Sequence, residues 1–302
     1  MDECAITRQH VVVTVTIATS IDDACAALDA DPEALVIAGG TDLMVEVNRG
    51  TRSVGNVVAV DRVPELQGWS LEGDRSNVLR LGAGTTCADL AEPSLAKLVP
   101  ALAQAARTVG SPQIRNAATL GGNLATASPA GDMLPVLAAL DAEVELRSST
   151  STRHLPLDEF VVGVKVNALV PGELITAIRV PVLDGPQEFL KVGTRNAMVI
   201  AVTSLALVVD RPGRTVRVAL GSVAPVPVRA IEAEVLAAER CDFDGMCVPS
   251  DEVVDRFAVL VADAARPIDD HRGSAAYRRH AVGVLARRAI RRAFPGVPTV
   301  AA

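Results

Sequence analysis

The sequence predicts an α+β fold in two parts, and three observations carry that reading. Strand-like apolar runs alternate with helical ones up to about residue 183. Two long apolar runs, "VIAVTSLALVVD" and "TVRVALGSVAP", then flank the turn residues "RPGR" as a strand pair. Three successive helical patterns close the chain. Its 302 residues leave room for one large domain or two ordinary ones. Apolar residues make up 49%, which excludes a disordered chain. Aromatics are only 2%, so the core must be built from Ala, Val, Leu and Ile. The net charge of −7 argues against a nucleic-acid footprint spread over the surface.

Val11, Val13, Val15 and Ile17 alternate as one face of a strand. Ser20, with Asp23 three residues on, then starts a helix with apolar Ile21, Cys25 and Leu28. "ALVIAGGTDL" reads as a buried strand running into a Gly-Gly turn, and "NVVAV" and "VLRLGAG" as further strands. "SLAKLVPALAQAARTVG" is expected to be a helix capped by Ser94, ended at Gly110 and kinked or split at Pro100. "MLPVLAAL" precedes the strands "AEVELRS" and "ELITAIRVPV". The pattern changes near residue 183, so the expected division is 1–183 and 186–295, with Gly185 and Pro186 as linker.

Asp2 and Glu3 stand where a secretion signal would carry positive charge, and no apolar run reaches the length of a membrane span. A cytoplasmic protein is expected. Cys4, Cys25, Cys87, Cys241 and Cys247 form no C-x-x-C, and His10, His154, His271 and His280 are scattered. Reduced thiols and no metal site are therefore expected. No residue is assigned a catalytic role.

The informative stretches are "VIAGGTDL" (Val36, Ile37, Ala38, Gly39, Gly40, Thr41, Asp42, Leu43) and "ATLGGNLATASPAGD" from Ala118 to Asp132. Each sets a glycine pair among small polar residues and carries no Lys or Arg. Glycine lets a ligand approach the main chain, and several N–H groups can then converge on one anion. Two such segments suit the two phosphates of a dinucleotide. There is no P-loop, and "GAGTTC" has Cys87 where the dinucleotide fingerprint needs its third glycine.

"VIAGGTDLMVEV", "RTVGSPQIRNAATLGGNLATASPAGDMLP" and "KVGTRNAMVIAV" resemble the FAD-binding subunit of molybdenum hydroxylases, the family of xanthine dehydrogenases and aerobic carbon monoxide dehydrogenases. "DDHRGSAAYRRHAVGVLARRAI" is similar to that family's C-terminal domain. The likeness runs in matching order over nearly the whole chain. It departs at "TIATSIDDAC", where the family usually has an aromatic residue and a proline.

The resemblance implies a two-part FAD-binding domain of the PCMH type, then a smaller domain with a three-stranded antiparallel sheet and a helical bundle. It implies noncovalent FAD, with the pyrophosphate held by Gly39, Gly40 and Thr41 on one side and Gly121, Gly122 and Asn123 on the other. Thr119, Thr126 and Asp132 would sit at the ribityl and ribose hydroxyls, and Leu174 and Ile175 near the adenine or the flavin edge. Lys191 and Arg195 would lie near the isoalloxazine. The implied role is an oxidoreductase subunit, xanthine dehydrogenase-like and inactive alone towards the hydroxylated substrate. It would take electrons from an iron–sulfur subunit with [2Fe-2S] clusters, beside a large molybdopterin-binding subunit, and pass them to NAD+, oxygen or a quinone. Other readings stay open: a self-contained flavin oxidase, or a non-catalytic nucleotide-binding scaffold. At residue level, Asp42 and Asp132 could be helix caps, Leu174 and Ile175 core, and Lys191 and Arg195 partners of surface carboxylates. The arginines from Arg278 to Arg292 could be a solvated helix face or a docking surface.

Overall fold

The computed structural model describes residues 13–74 and 77–296. Val11, Cys4 and His10 lie outside them. The chain first lays down β1 (Val15–Ile17), α1 (Ile21–Ala30), β2 (Leu35–Ile37), α2 (Leu43–Asn48) and β3 (Val57–Ala59). The strands form a parallel sheet in the order β1-β3-β2. Ser20 caps α1 by accepting from Asp23 N at 3.0 Å, and Ile21, Ala24, Cys25 and Leu28 are buried. Val13, Val15 and Ile17, expected to alternate as one face of a strand, are exposed. β1 is one of the two edge strands, and α1 packs on the central strand β3.

A second unit runs through β4 (Trp69–Glu72), β5 (Val78–Gly82), α3 (Cys87–Leu90), α4 (Pro93–Leu98), α5 (Pro100–Thr108), α6 (Pro112–Arg115), α7 (Leu120–Thr126) and α8 (Met133–Ala139). It continues through β6 (Glu143–Arg147), β7 (Thr152–Pro156), α9 (Leu157–Phe160), β8 (Val161–Gly163), β9 (Val166–Asn167) and β10 (Leu174–Pro181). Its antiparallel sheet has the order β4-β5-β10-β6-β7. Pro100 splits the predicted helix into α4 and α5. Ser94 is not the cap, because Pro93 takes the first helical position and puts Glu92 at the cap. The second glycine segment is helical: Thr119 accepts from Gly122 N at 3.0 Å and starts α7 there.

The third unit holds β11 (Gln187–Val192), β12 (Thr203–Asp210), β13 (Thr215–Gly221), β14 (Val228–Arg229), α10 (Ile231–Arg240), α11 (Asp251–Ala264) and α12 (Ala275–Ala293). The sheet expected to have three strands has a fourth, the two-residue β14, which pairs with β13 through Ala219 and Leu220. Leu205, Leu207 and Val209 of β12 face α10–α12, while Ala206 and Val208 join the core of the second unit. Burial on both faces explains why β12 reads as an unbroken apolar run from Leu205 to Val209.

Candidate functional site

β2 delivers the first glycine segment. Gly40 has φ +67°, a left-handed conformation that favours glycine. A Cβ on Gly39 would lie 1.7 Å from Ala117 O, so its lack of a side chain lets the two glycine segments touch. The N–H groups of Gly39, Gly40, Thr41 and Asp42 have no acceptor among the described residues. Such a run of free N–H groups suits an anion. Asp42 stands at the cap position of α2 but makes no cap bond; its Oδ2 accepts from Thr126 Oγ1 at 3.4 Å and so links the segments. Ile37 and Leu43 are half-buried at either end of the loop.

The N–H groups of α7 are differently placed. Leu120 N donates to Thr85 O, Gly121 N to Ala83 O and Asn123 N to Thr119 O. What α7 offers a ligand is space: a Cβ on Gly122 would meet only Thr119 Oγ1, at 2.9 Å. Asn123 Oδ1 is buried with no partner.

Between these segments lies a mostly apolar cleft of about 100 Å³. Of the predicted residues, Val36, Ala38, Thr119, Gly121, Gly122, Leu174 and Ile175 line it. Leu174 and Ile175 are at once buried core and cleft wall. Sequence reasoning missed Ala83, Gly84, Leu169 and Glu173 on the same wall. The glycines of "GAGTTC" were the available signal for the first two. Glu173 left no local one, because its partner Arg153 lies 20 residues away, donating to it at 2.6 Å.

Asp132 and Lys191 form a second cluster. Lys191 Nζ lies 2.6 Å from Asp132 Oδ2, and both side chains are under a tenth exposed. Lys191 therefore pairs with a buried carboxylate rather than a surface one. Thr108 Oγ1 donates to the same oxygen at 3.2 Å. Burial pushes the Asp132 carboxyl above its ordinary range, and Lys191 and Thr108 only partly pull it back. Asp132 Oδ1 is buried without a partner, and the side chain caps no helix. Arg195 stays apart. Its guanidinium folds back on Ala197 O and Met198 O of its own exposed loop.

These features fit a flavin dinucleotide. The free N–H groups at Gly39–Asp42 suit a phosphate, and the bare Cα of Gly122 permits close approach. The orphaned acceptors Asn123 Oδ1 and Asp132 Oδ1 call for hydroxyl or N–H donors that none of the described residues supplies. Among the described residues no group of His, Cys, Asp and Glu could hold a metal ion.

Comparison with known proteins agrees. Residues 11–183 match the family model for the FAD binding domain in molybdopterin dehydrogenase, and 188–293 that for the CO dehydrogenase flavoprotein C-terminal domain. The chain is 33% identical to the glyceraldehyde dehydrogenase medium chain of Sulfolobus acidocaldarius, over 91% of this chain and 95% of that one. It is 31% identical to the xanthine dehydrogenase FAD-binding subunit of Escherichia coli O157:H7, over 72% and 76% of the two chains. Among solved structures it superposes on carbon monoxide dehydrogenase from Hydrogenophaga pseudoflava with a TM-score of 0.84 at 28% identity, covering 94% of this chain and 97% of that one. Quinoline 2-oxidoreductase from Pseudomonas putida 86 gives 0.86 at 25% identity, with the same coverage. The chain belongs to the family of FAD-binding medium subunits of molybdenum hydroxylases, the carbon monoxide dehydrogenase and xanthine dehydrogenase family.

Proposed function

We propose that this subunit carries electrons from partner [2Fe-2S] clusters through noncovalent FAD to an acceptor such as NAD+, oxygen or a quinone. FAD, when bound, supplies the electron-accepting and electron-donating chemistry; the chain supplies binding, orientation and electrostatics. The observation that carries the reading is the Gly39–Asp42 loop, with four N–H groups that no acceptor among the described residues claims and a left-handed φ at Gly40. Val36, Ala38, Gly121, Gly122, Leu174 and Ile175 would enclose one end of the cofactor, with Ile37, Thr41, Leu43, Thr119 and Thr126 around the phosphates and hydroxyls. Asn123 and Asp132 would accept from its donors. Lys191 would hold a positive charge beside Asp132, and Arg195 would brace the loop next to β11.

Two units, 1–183 and 186–295, would divide this work, the first holding the cofactor. The partners are an iron–sulfur subunit and a large molybdopterin-binding subunit, and the setting is the cytoplasm. The relatives are named for dehydrogenation of glyceraldehyde and xanthine, so the partner with the molybdenum cofactor would choose the substrate. Coexpression of this chain with its two partners, followed by metal and flavin analysis, tests the assignment. The expected product is one complex containing Mo, Fe and FAD. A chain that oxidises a small molecule unaided, at the rate its flavin is reduced, would contradict it.

A further inference from the structure

β11 is an edge strand, and an edge strand presents unpaired N–H and C=O groups. Here α5, not another strand, lies along that edge. Gln104 does what a neighbouring strand would do. Its Oε1 accepts from Phe189 N at 2.7 Å, and its Nε2 donates to Gln187 O at 3.4 Å. Gln187, itself buried, answers in kind: its Oε1 accepts from Ala101 N at 3.4 Å. That N–H belongs to the first turn of α5, which has no side-chain cap of its own. At the other end Lys191 Nζ donates to Thr108 O at 3.4 Å as well as to Asp132.

These contacts are rungs of one ladder. Ala101, Gln104 and Thr108 share a helix face, and Gln187, Phe189 and Lys191 share a strand direction. From the first to the last the helix advances about 10.5 Å and the strand about 13 Å, so the two stay alongside. β11 takes its register from β12, along which it pairs from Gln187↔Val208 to Val192↔Thr203; the Gln104 rung fixes where α5 lies along the free edge, and so where Thr108, bonded to Asp132, meets Lys191.

We infer that Gln104 is a positioning residue for the cofactor site. By pinning β11 to α5 it sets the Lys191 ammonium on Asp132 Oδ2 and leaves Asp132 Oδ1 free towards the cofactor. The inference rests on the proposed place of the Asp132–Lys191 pair in the FAD site.

The test uses the full chain, with FAD titrated by quenching of flavin fluorescence and the visible band recorded. Lys191→Met is expected to weaken FAD about tenfold. Gln104→Leu, which fills similar space without polar atoms, should give a comparable loss and the same band shift. The double variant should add little to Lys191→Met, because both changes remove one unit. Gln104→Glu keeps the acceptor for Phe189 N and should hold FAD within about threefold of the parent. Parent-like affinity and spectrum in Gln104→Leu, whatever its melting temperature, would overturn the inference, as would fully additive losses in the double variant. Should Gln104→Leu not fold, Gln104→Asn, too short to reach β11, takes its place with the same expectations. Unchanged affinity in Lys191→Met would instead remove the pair from the cofactor site, and the inference with it.

Discussion

A methyl group on Gly39 would sit inside the neighbouring backbone, against Ala117 O, whereas one on Gly122 would point into space edged only by Thr119 Oγ1. Two predictions follow from that contrast. Gly122→Val should keep the fold, measured by circular dichroism, and lose FAD, because its side chain occupies what the ligand needs. Gly39→Val should destabilise the fold itself by about 3 kcal/mol, read as a lower urea midpoint, since the two segments can no longer touch. Glu145 gives a prediction in pH. Burial alone would raise its carboxyl, but Arg80 and Thr176, each donating at 2.7 Å, outweigh burial and hold it at about 2. A depressed carboxylate contributes stability that is complete above its ordinary value of 4.5 and fades as pH falls towards about 2. Urea unfolding across that window should show Glu145→Gln losing about 2 kcal/mol less than the parent.

Helix α12 separates buried charge from surface charge along a single element. Arg278 is 3% exposed and donates to Val202 O at 2.6 Å, Ser222 O at 2.8 Å and Asp270 Oδ1 at 2.5 Å. Arg287 and Arg291 pair with Asp255 and Asp251 of α11 where all four side chains are more than a third exposed. Arg278→Met should cost about 3 kcal/mol, because it leaves two carbonyls without their donor, while Asp270 keeps Arg272 N at 2.8 Å and the Arg272 guanidinium at 3.3 Å. Arg287→Ala and Arg291→Ala should each cost at most about 1 kcal/mol. Thermal melts of the three variants check this. The arginine run is therefore partly a set of intramolecular pairs, not simply a bare basic surface. Such differences mark what could be read from the sequence at this scale. Ser20 capping α1, Pro100 splitting a helix and the RPGR turn between β12 and β13 all arise within a few residues, and each was legible. The cap at Glu92 was missed because Pro93 outcompeted Ser94 for the helix start. The Gln104 ladder, the Arg153–Glu173 pair and the unpaired state of Asp132 Oδ1 depend on residues 20 to 86 positions apart, and no local pattern announces them. The glycine segments were legible as a pair, and the fold brings them together, but the helix α7 was not legible, because glycine and asparagine conceal a helix whose start Thr119 secures.

At the scale of the whole molecule, one face of the β11–β14 sheet packs on the helices of the second unit and the other on α10–α12, so the two cores share a wall. Lys191 stands on the strand that forms this wall and Asp132 on the other side of the joint, so the joint and the candidate site are one structure. Damage to the joint is thus expected to appear first as weaker cofactor binding. The two glycine segments together are expected to hold a dinucleotide rather than a mononucleotide. The most direct measurement is chromatography of the flavin released when the purified full chain is heat-denatured, with its amount set against protein. One FAD per chain is expected, released freely, and almost none from Gly122→Val. FMN in place of FAD, flavin still attached to the denatured chain, or stoichiometric FAD in a folded Gly122→Val variant would contradict it.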